Sequence, residues 1–394
     1  MSDTPFFESE LFAELKEDLT QSSRFTATYR IAAPDYEEAK NLAFGICVEQ
    51  TVECPYELVE GTPIGDTIVG QIEDLKKAEP GAYYATISYD PAAVGNEMAE
   101  LLNMLFGNTS LQPGIKLMSF DLPESMYDNY PGPRFGRTGL RDLCGVHRGP
   151  ILMSAIKPLG RSPKELAKMV YDLALGGCPI IKDDHSLMNQ DYAPFEERVL
   201  QCVMALADAK EKTGKKSMYI ANCTADGLQF LDRAYKAKEI GVDGIMAAPA
   251  ITGFTLIRDL ARDPDFNLPI FLHPCFSGPQ VLSKDSGISP FCYYGQLSRL
   301  AGADAVIFTS FGGRFSFSRE ICTKICEGTN EKMAYLRSIF PIPSGGMKWQ
   351  LFRDMYKTYG PDTIFLVGGA LQTQGPNLTE NVKFFLQKLE EAQQ

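Results

Sequence analysis

The chain has 394 residues, 44% hydrophobic and 22% charged, with 38 basic against 50 acidic side chains and a formal net charge of −12. With no Lys/Arg-rich run, nucleic-acid binding has no electrostatic footprint, and no window nears the roughly 20 apolar residues of a membrane-spanning helix. The acidic residues 1–20 lack the apolar segment of a secretion signal, and ten scattered cysteines without a CxxC pair read as reduced thiols, so a cytoplasmic protein is expected.

Residues 1–22 read as an acidic arm or a first helix. Residues 25–31 alternate like a strand, and 35–48 carry Ala39, Leu42, Ala43 and Ile46 at helical spacing behind a capping Asp35. Strands at 82–88 and 116–120, with a helix at 97–106 between them, complete a small α+β domain. Residues 123–139, rich in Pro, Gly and aromatics, form a linker, and the domains are set at 1–135 and 136–394. From residue 150 the rhythm changes. Apolar strands at 151–156, 179–183, 217–222, 244–248, 269–273, 305–309, 339–343 and 363–367 alternate with helices at 162–175, 195–212, 227–240, 252–261, 291–301, 318–326, 348–359 and 377–391. Eight such units in this length predict a (β/α)₈ barrel, with a doubly wound open sheet as the other arrangement considered.

Barrel enzymes build their sites where strands end. Here the strand ends carry Lys157, the run Lys182-Asp183-Asp184-His185, His273-Pro274, Ser344-Gly345-Gly346 and Gly368-Gly369. Strand alternation places Lys182 and Asp184 on one face and Asp183 on the other. Unpaired buried charge is costly, so this cluster calls for a cation, an ion-pair network or a substrate. A divalent metal held by Lys182, Asp184 and His185 is expected. Lys182 can join only as a neutral amine or as a carbamate formed with CO2; a metal-free Lys182–Asp184 ion pair is the alternative. Two glycine pairs after the seventh and eighth strands, with the Ser344 hydroxyl, fit the usual phosphate corner of such barrels. Lys157 and His273 are expected at the catalytic or substrate-binding rim, and His147, in the loop before the first barrel strand, in a structural or surface position.

These residues resemble the large subunit of ribulose-bisphosphate carboxylase (RuBisCO). The resemblance rests on Ile156-Lys157-Pro158, Gly176-Gly177 with Lys182-Asp183-Asp184-His185, Ser344-Gly345-Gly346 and Gly368-Gly369, with Glu49-Gln50, Gly107-Asn108 and Gly132-Pro133 in the earlier part. It implies an N-terminal ferredoxin-like α+β domain followed by a C-terminal TIM barrel. It also implies Mg2+ with an N6-carboxylysine at Lys182, and a homodimer or higher oligomer in which Glu49 and Asn108 reach the neighbouring subunit's substrate. Departures point away from CO2 fixation. Leu159 replaces a second lysine, His185 stands where the pattern has glutamate, and Phe311-Gly312-Gly313-Arg314 replaces the mobile-loop lysine segment, leaving the role of Arg314 open. Pro274 replaces a phosphate-binding arginine, which suggests a substrate with one phosphate. The chain thus resembles the type IV RuBisCO-like proteins. Its Lys-Asp-Asp-His form is similar to the branch acting on 3-oxo-isoapionate 4-phosphate, so a decarboxylase, or a transcarboxylase/hydrolase, is expected. The other readings are a methionine-salvage enolase, a methylthioribulose-1-phosphate isomerase, and a non-catalytic RuBisCO-like protein.

Overall fold

A computed structural model describes residues 23–315 and 317–394. The arm or helix expected over 1–22 therefore lies outside the described residues. The chain divides into two compact units, one running to Asn129 and also taking in Pro279–Cys292, the other made of Tyr130–Gly278 and Tyr293–Gln394.

In the first unit, β1 (Phe25–Ala32), β2 (Gln71–Glu79), β3 (Ala82–Tyr89) and β4 (Ile115–Asp121) form an antiparallel sheet in the order β4-β1-β3-β2. With helices at Tyr36–Glu49 and Met98–Phe106, this is the ferredoxin-like βαββαβ arrangement. Asp35 caps the first helix, its Oδ1 accepting the Glu38 N–H at 3.0 Å. Alternate residues of β1 and β3, among them Ala27, Tyr29, Ile31, Ala85, Ile87 and Tyr89, are fully buried. The Tyr29 hydroxyl is satisfied there by Tyr89 at 2.9 Å and by the Leu105 carbonyl at 2.7 Å.

In the second unit, β5 (Ile151–Ile156), β6 (Ile180–Asp183), β7 (Met218–Asn222), β8 (Gly244–Ala247) and β9 (Ile270–Leu272) are parallel. A two-residue strand, β10 (Gly287–Ile288), leaves this order and pairs with β4 of the first unit's sheet. The barrel resumes with β11 (Ala305–Thr309), β12 (Phe340–Ser344) and β13 (Ile364–Leu366). β13 pairs in parallel with β5, last strand against first, and lies beside β12, so the eight strands form a barrel-like sheet. Residues two apart share its interior: Ile151 and Met153, Met218 and Ile220, Ala305 and Ile307, Phe340 and Ile342, and Ile364 and Leu366 join one buried cluster. Ile180 belongs to the same cluster, so the period of two puts Lys182 on the barrel's inner face and Asp183 on the face toward the surrounding helices.

Local chemistry sets the strand–helix boundaries. Ser162 and Glu165 form a capping box at the start of Pro163–Gly176, and Gly177 closes that helix at φ 90°, a left-handed conformation that glycine adopts without strain. Two elements depart from expectation. β2 reads as Gln-Ile-Glu-Asp-Leu-Lys-Lys-Ala-Glu, exposed at most positions and broken by two register shifts, so its apolar alternation is obscured. The helix expected over 291–301 is a π-helix at Phe291–Leu297 followed by an α-turn at Ser298–Leu300.

Candidate active site

The register of β5 against β6 builds the centre of the site. Ala155 lies opposite Lys182 and Ile156 opposite Asp183, so the next residues, Lys157 and Asp184, leave the sheet side by side. The Asp184 N–H donates to the Ile156 carbonyl at 3.2 Å, and the Lys157 Nζ stands 3.1 Å from Asp184 Oδ2. The other carboxylate oxygen, Oδ1, is 2.8 Å from His185 Nδ1. Asp184 thus pairs with Lys157 and His185, not with Lys182 as the metal-free alternative supposed. The Lys182 ammonium instead donates to the Asp183 carbonyl at 2.8 Å.

Asp183 faces the other way and is consumed by structure. Its Oδ2 accepts from Arg198 Nη2 at 3.1 Å and from the Asn222 N–H at 3.0 Å, and its Oδ1 accepts from the Tyr219 hydroxyl at 2.7 Å. Both side chains of the Asp183–Arg198 pair are fully buried. Such a pair is costly to break because its partner is left as an uncompensated charge. It ties β6 to the helix Phe195–Thr213 and leaves Lys182 and Asp184 for chemistry.

The electrostatics separate these groups. Burial is the main influence on Lys182 and lowers its pKa from 10.5 to about 8; Asp184 opposes that shift and Lys157 adds to it. Burial would raise the Asp184 carboxyl, but the His185 hydrogen bond and the Lys182 and Lys157 charges outweigh it and hold the group well below the usual carboxylate range. Burial, then Lys182 and His185, keep His273 well below 6.5, so its ring is neutral near pH 7. His273 Nδ1 accepts the Cys275 N–H at 3.1 Å, which assigns the ring proton to Nε2. The rings of His185 and His273 stack with centroids 4.6 Å apart and planes within 6°.

The two glycine pairs follow β12 and β13. Gly345 and Gly346 have φ of 91° and 106°, where a side chain would be strained. Gly345 O accepts the Arg314 N–H at 2.9 Å, and the Ser344 hydroxyl donates to the Phe308 carbonyl at 2.9 Å. A Cβ on Gly368 would lie 3.1–3.2 Å from the Lys157 side-chain end, whereas one on Gly369 would meet nothing within 4 Å. Lys157 therefore stands between the carboxylate and the glycine backbone that follows β13. In the first unit, Glu49 and Asn108 lie against each other, Asn108 Nδ2 donating to Glu49 Oε1 at 3.0 Å. His147 is mostly exposed, 3.5 Å from Asp142.

Sequence reasoning gave no role to three groups here. Asn222 donates to the His185 and Leu187 carbonyls at 2.8 and 3.1 Å and so fixes the loop that carries His185; a polar residue ending an otherwise apolar strand was the available signal. Cys275 lies near Lys182, its thiol pushed up chiefly by burial. The Thr309 hydroxyl, at the end of β11, is buried without a hydrogen-bond partner among the described residues. Among those residues no three His, Cys, Asp or Glu side chains cluster as a ready metal site. The chemistry of Lys182 and Asp184 nonetheless fits a hard cation. Asp184 is held anionic, and an amine near 8 is neutral often enough to react with CO2, giving a second anionic oxygen donor.

A family model described as ribulose bisphosphate carboxylase large chain, catalytic domain, matches residues 137–375. A 5-methylthioribulose-1-phosphate isomerase of Rhodospirillum rubrum is 36% identical over 367 residues, 93% of this chain and 96% of its own. A 2,3-diketo-5-methylthiopentyl-1-phosphate enolase of Geobacillus kaustophilus is 32% identical across 85% of this chain and 84% of its own. The crystal structure of a Rubisco-like protein from Rhodopseudomonas palustris matches with a TM-score of 0.85 at 32% identity, covering 95% of this chain and 99% of that one. The expectation of a 3-oxo-isoapionate-4-phosphate decarboxylase is corrected by these relatives, whose names are those of an isomerase and an enolase of methylthio-sugar phosphates. That expectation leaned on the final histidine of Lys-Asp-Asp-His. His185 is nearly half exposed and turned onto Asp184, a position that says little about which bond of a substrate is broken. With its family model spanning more than half of its length and its full-length relatives, the chain belongs to the ribulose bisphosphate carboxylase large-chain family as a type IV RuBisCO-like protein.

Proposed function

We propose that this chain is an enolising isomerase of a ketose 1-phosphate, with 5-methylthioribulose 1-phosphate as substrate. The observation that carries the reading is the arrangement of two lysines of unequal environment around one carboxylate: Lys182 buried and lowered to about 8, Lys157 one-third exposed and paired with Asp184. The isomerase of Rhodospirillum rubrum, similar along almost the whole chain, supports the choice of substrate.

Enolisation removes a proton from the carbon beside a carbonyl, and returning it to the neighbouring carbon moves the carbonyl by one position. Lys157 is the proton-carrying group in this reading, because it lies on the open rim within reach of both Asp184 and the glycine corner. His273, neutral with its proton on Nε2, donates to the oxygen on which charge develops. Asp184 and a carboxylated Lys182, with His185 as the third member, would hold a magnesium ion, which supplies Lewis-acid stabilisation of an enolate oxygen. Ser344, Gly345, Gly346, Gly368 and Gly369 receive the single phosphate through backbone N–H groups. Glu49 and Asn108 act on the partner subunit's substrate, in a cytoplasmic dimer.

The test is incubation with magnesium, bicarbonate and 5-methylthioribulose 1-phosphate in D2O, followed by NMR. Conversion with deuterium at the former carbonyl carbon is expected, lowered about 10²-fold or more in Lys157→Ala. Turnover of 2,3-diketo-5-methylthiopentyl 1-phosphate alone would reassign the protein as an enolase. Activity on neither compound would end both readings.

A further inference from the structure

At the other end of the barrel strands, ahead of β5, β12 and β13, lies a cleft of about 760 Å³. Arg134, Arg137, Arg141 and Arg337 place four guanidinium groups along it, against the carboxylates of Asp142 and Asp362. This concentration of positive charge stands in a chain of net charge −12. The volume falls within the range of small-ligand sites.

The arginines are unequally committed. Arg141 commits both terminal nitrogens: Nη1 donates to the Val146 and Gly149 carbonyls, and Nη2 to the Pro361 carbonyl and Asp362. It forms the wall of the cleft. Arg137 makes one hydrogen bond from each nitrogen, to the Ile339 carbonyl, Asn330 and Thr329, and stands 3.8 Å from an Asp362 already held by Arg141 at 2.7 Å. Arg134 gives only Nη2, to the Ala261 and Asp263 carbonyls, and Arg337 gives only Nη1, to the Arg134 carbonyl. Neither Arg134 nor Arg337 has a carboxylate within 4 Å among the described residues, and Asp142 is turned toward His147. A guanidinium carries five donors, so each keeps a free edge while its neighbours hold it in place.

We propose that this cleft is an anion site for an oligophosphate, with Arg134, Arg137 and Arg337 binding the phosphoryl oxygens and Arg141 with Asp362 as their support. Planar guanidinium forks match phosphate oxygens in pairs, and guanidinium groups gathered without enough carboxylates gain most from a multiply charged anion. The site is independent of the enolisation chemistry at the opposite strand ends.

Inorganic pyrophosphate is the probe. Full-length protein is titrated by calorimetry, and pyrophosphate-dependent protection from hydrogen exchange is mapped by mass spectrometry. Protection of residues 134–142 and 330–338 is expected, with affinity down tenfold or more in Arg337→Glu and several-fold in Arg337→Lys, which keeps charge but loses the fork. Arg337 is exposed, so these variants fold; Arg134→Gln gives a second reading of the same loss. Lys157→Ala should leave that protection in place. Protection confined to residues 344–346 and 368–369, affinity unchanged in both Arg337 variants, or no measurable binding would each overturn the assignment.

Discussion

Lys157 and Lys182 leave adjacent strands of one barrel mouth, yet burial separates them: the Lys157 side chain is one-third exposed and Lys182 is 2% exposed. An ordinary lysine is neutral only about once in 10³ molecules near pH 7, whereas one at about 8 is neutral in roughly a tenth. Only a neutral amine forms a carbamate. With ¹³C-bicarbonate and no magnesium, a carbamate NMR signal assigned to Lys182 should therefore rise with a midpoint near pH 8 and be missing in Lys182→Ala. Asp184 is the charge that raises the Lys182 pKa, so Asp184→Asn should move the midpoint to lower pH; a midpoint near 10 would refute the burial argument. The folded-state value lies below that of the unfolded chain, so unfolding takes up a proton between about pH 8 and 10.5. The Lys182 contribution to stability accordingly improves as pH climbs through that window. Much of this was legible from residue types: a lysine and two aspartates at a strand end cannot all be idle. Alternation alone separated Asp183 from Asp184. What the sequence did not reveal was the partner of each, since Lys157 reaches Asp184 only through the β5–β6 register, and Arg198 is 15 residues past Asp183 on a helix.

At the scale of elements, the barrel strands were readable because each is apolar and bounded by glycine or polar residues, while β2 and β10 were not. β2 is an edge strand with charged side chains facing solvent, and β10 has only two residues. The π-helix Phe291–Leu297 was equally hidden, and it packs against a segment far along the chain. Gly295 lies so close to Gly328 that a Cβ on it would come within 2.6 Å of the Gly328 backbone. Two helices thus approach through paired glycines. Gly295→Ala is expected to destabilise the protein by about 1–3 kcal/mol despite the higher helix propensity of alanine. Gly45→Ala, where a Cβ meets nothing within 4 Å, should instead be neutral or stabilising. Thermal unfolding of the two variants distinguishes close packing from helix propensity; equal melting temperatures would dismiss the packing argument.

At the scale of the whole molecule, the proposed function gives roles to groups of both units. Glu49 and Asn108 lie in the ferredoxin-like unit and Lys157, Lys182 and Asp184 in the barrel. If Glu49 serves the barrel of a partner subunit, activity belongs to the dimer and two different lesions can compensate. Glu49→Gln and Lys182→Ala should each be inactive as homodimers. Co-expressed with different tags and purified through both, the hybrid dimer places both lesions at one site and leaves the other intact. It should recover about half of the wild-type turnover per dimer, as two-fold symmetry requires. If Glu49 acts on its own chain's barrel, each site of the hybrid carries one lesion and the hybrid stays as inactive as its parents. The isomerase assay on the hybrid therefore decides whether the two units of one chain share a site or lend their halves to different ones.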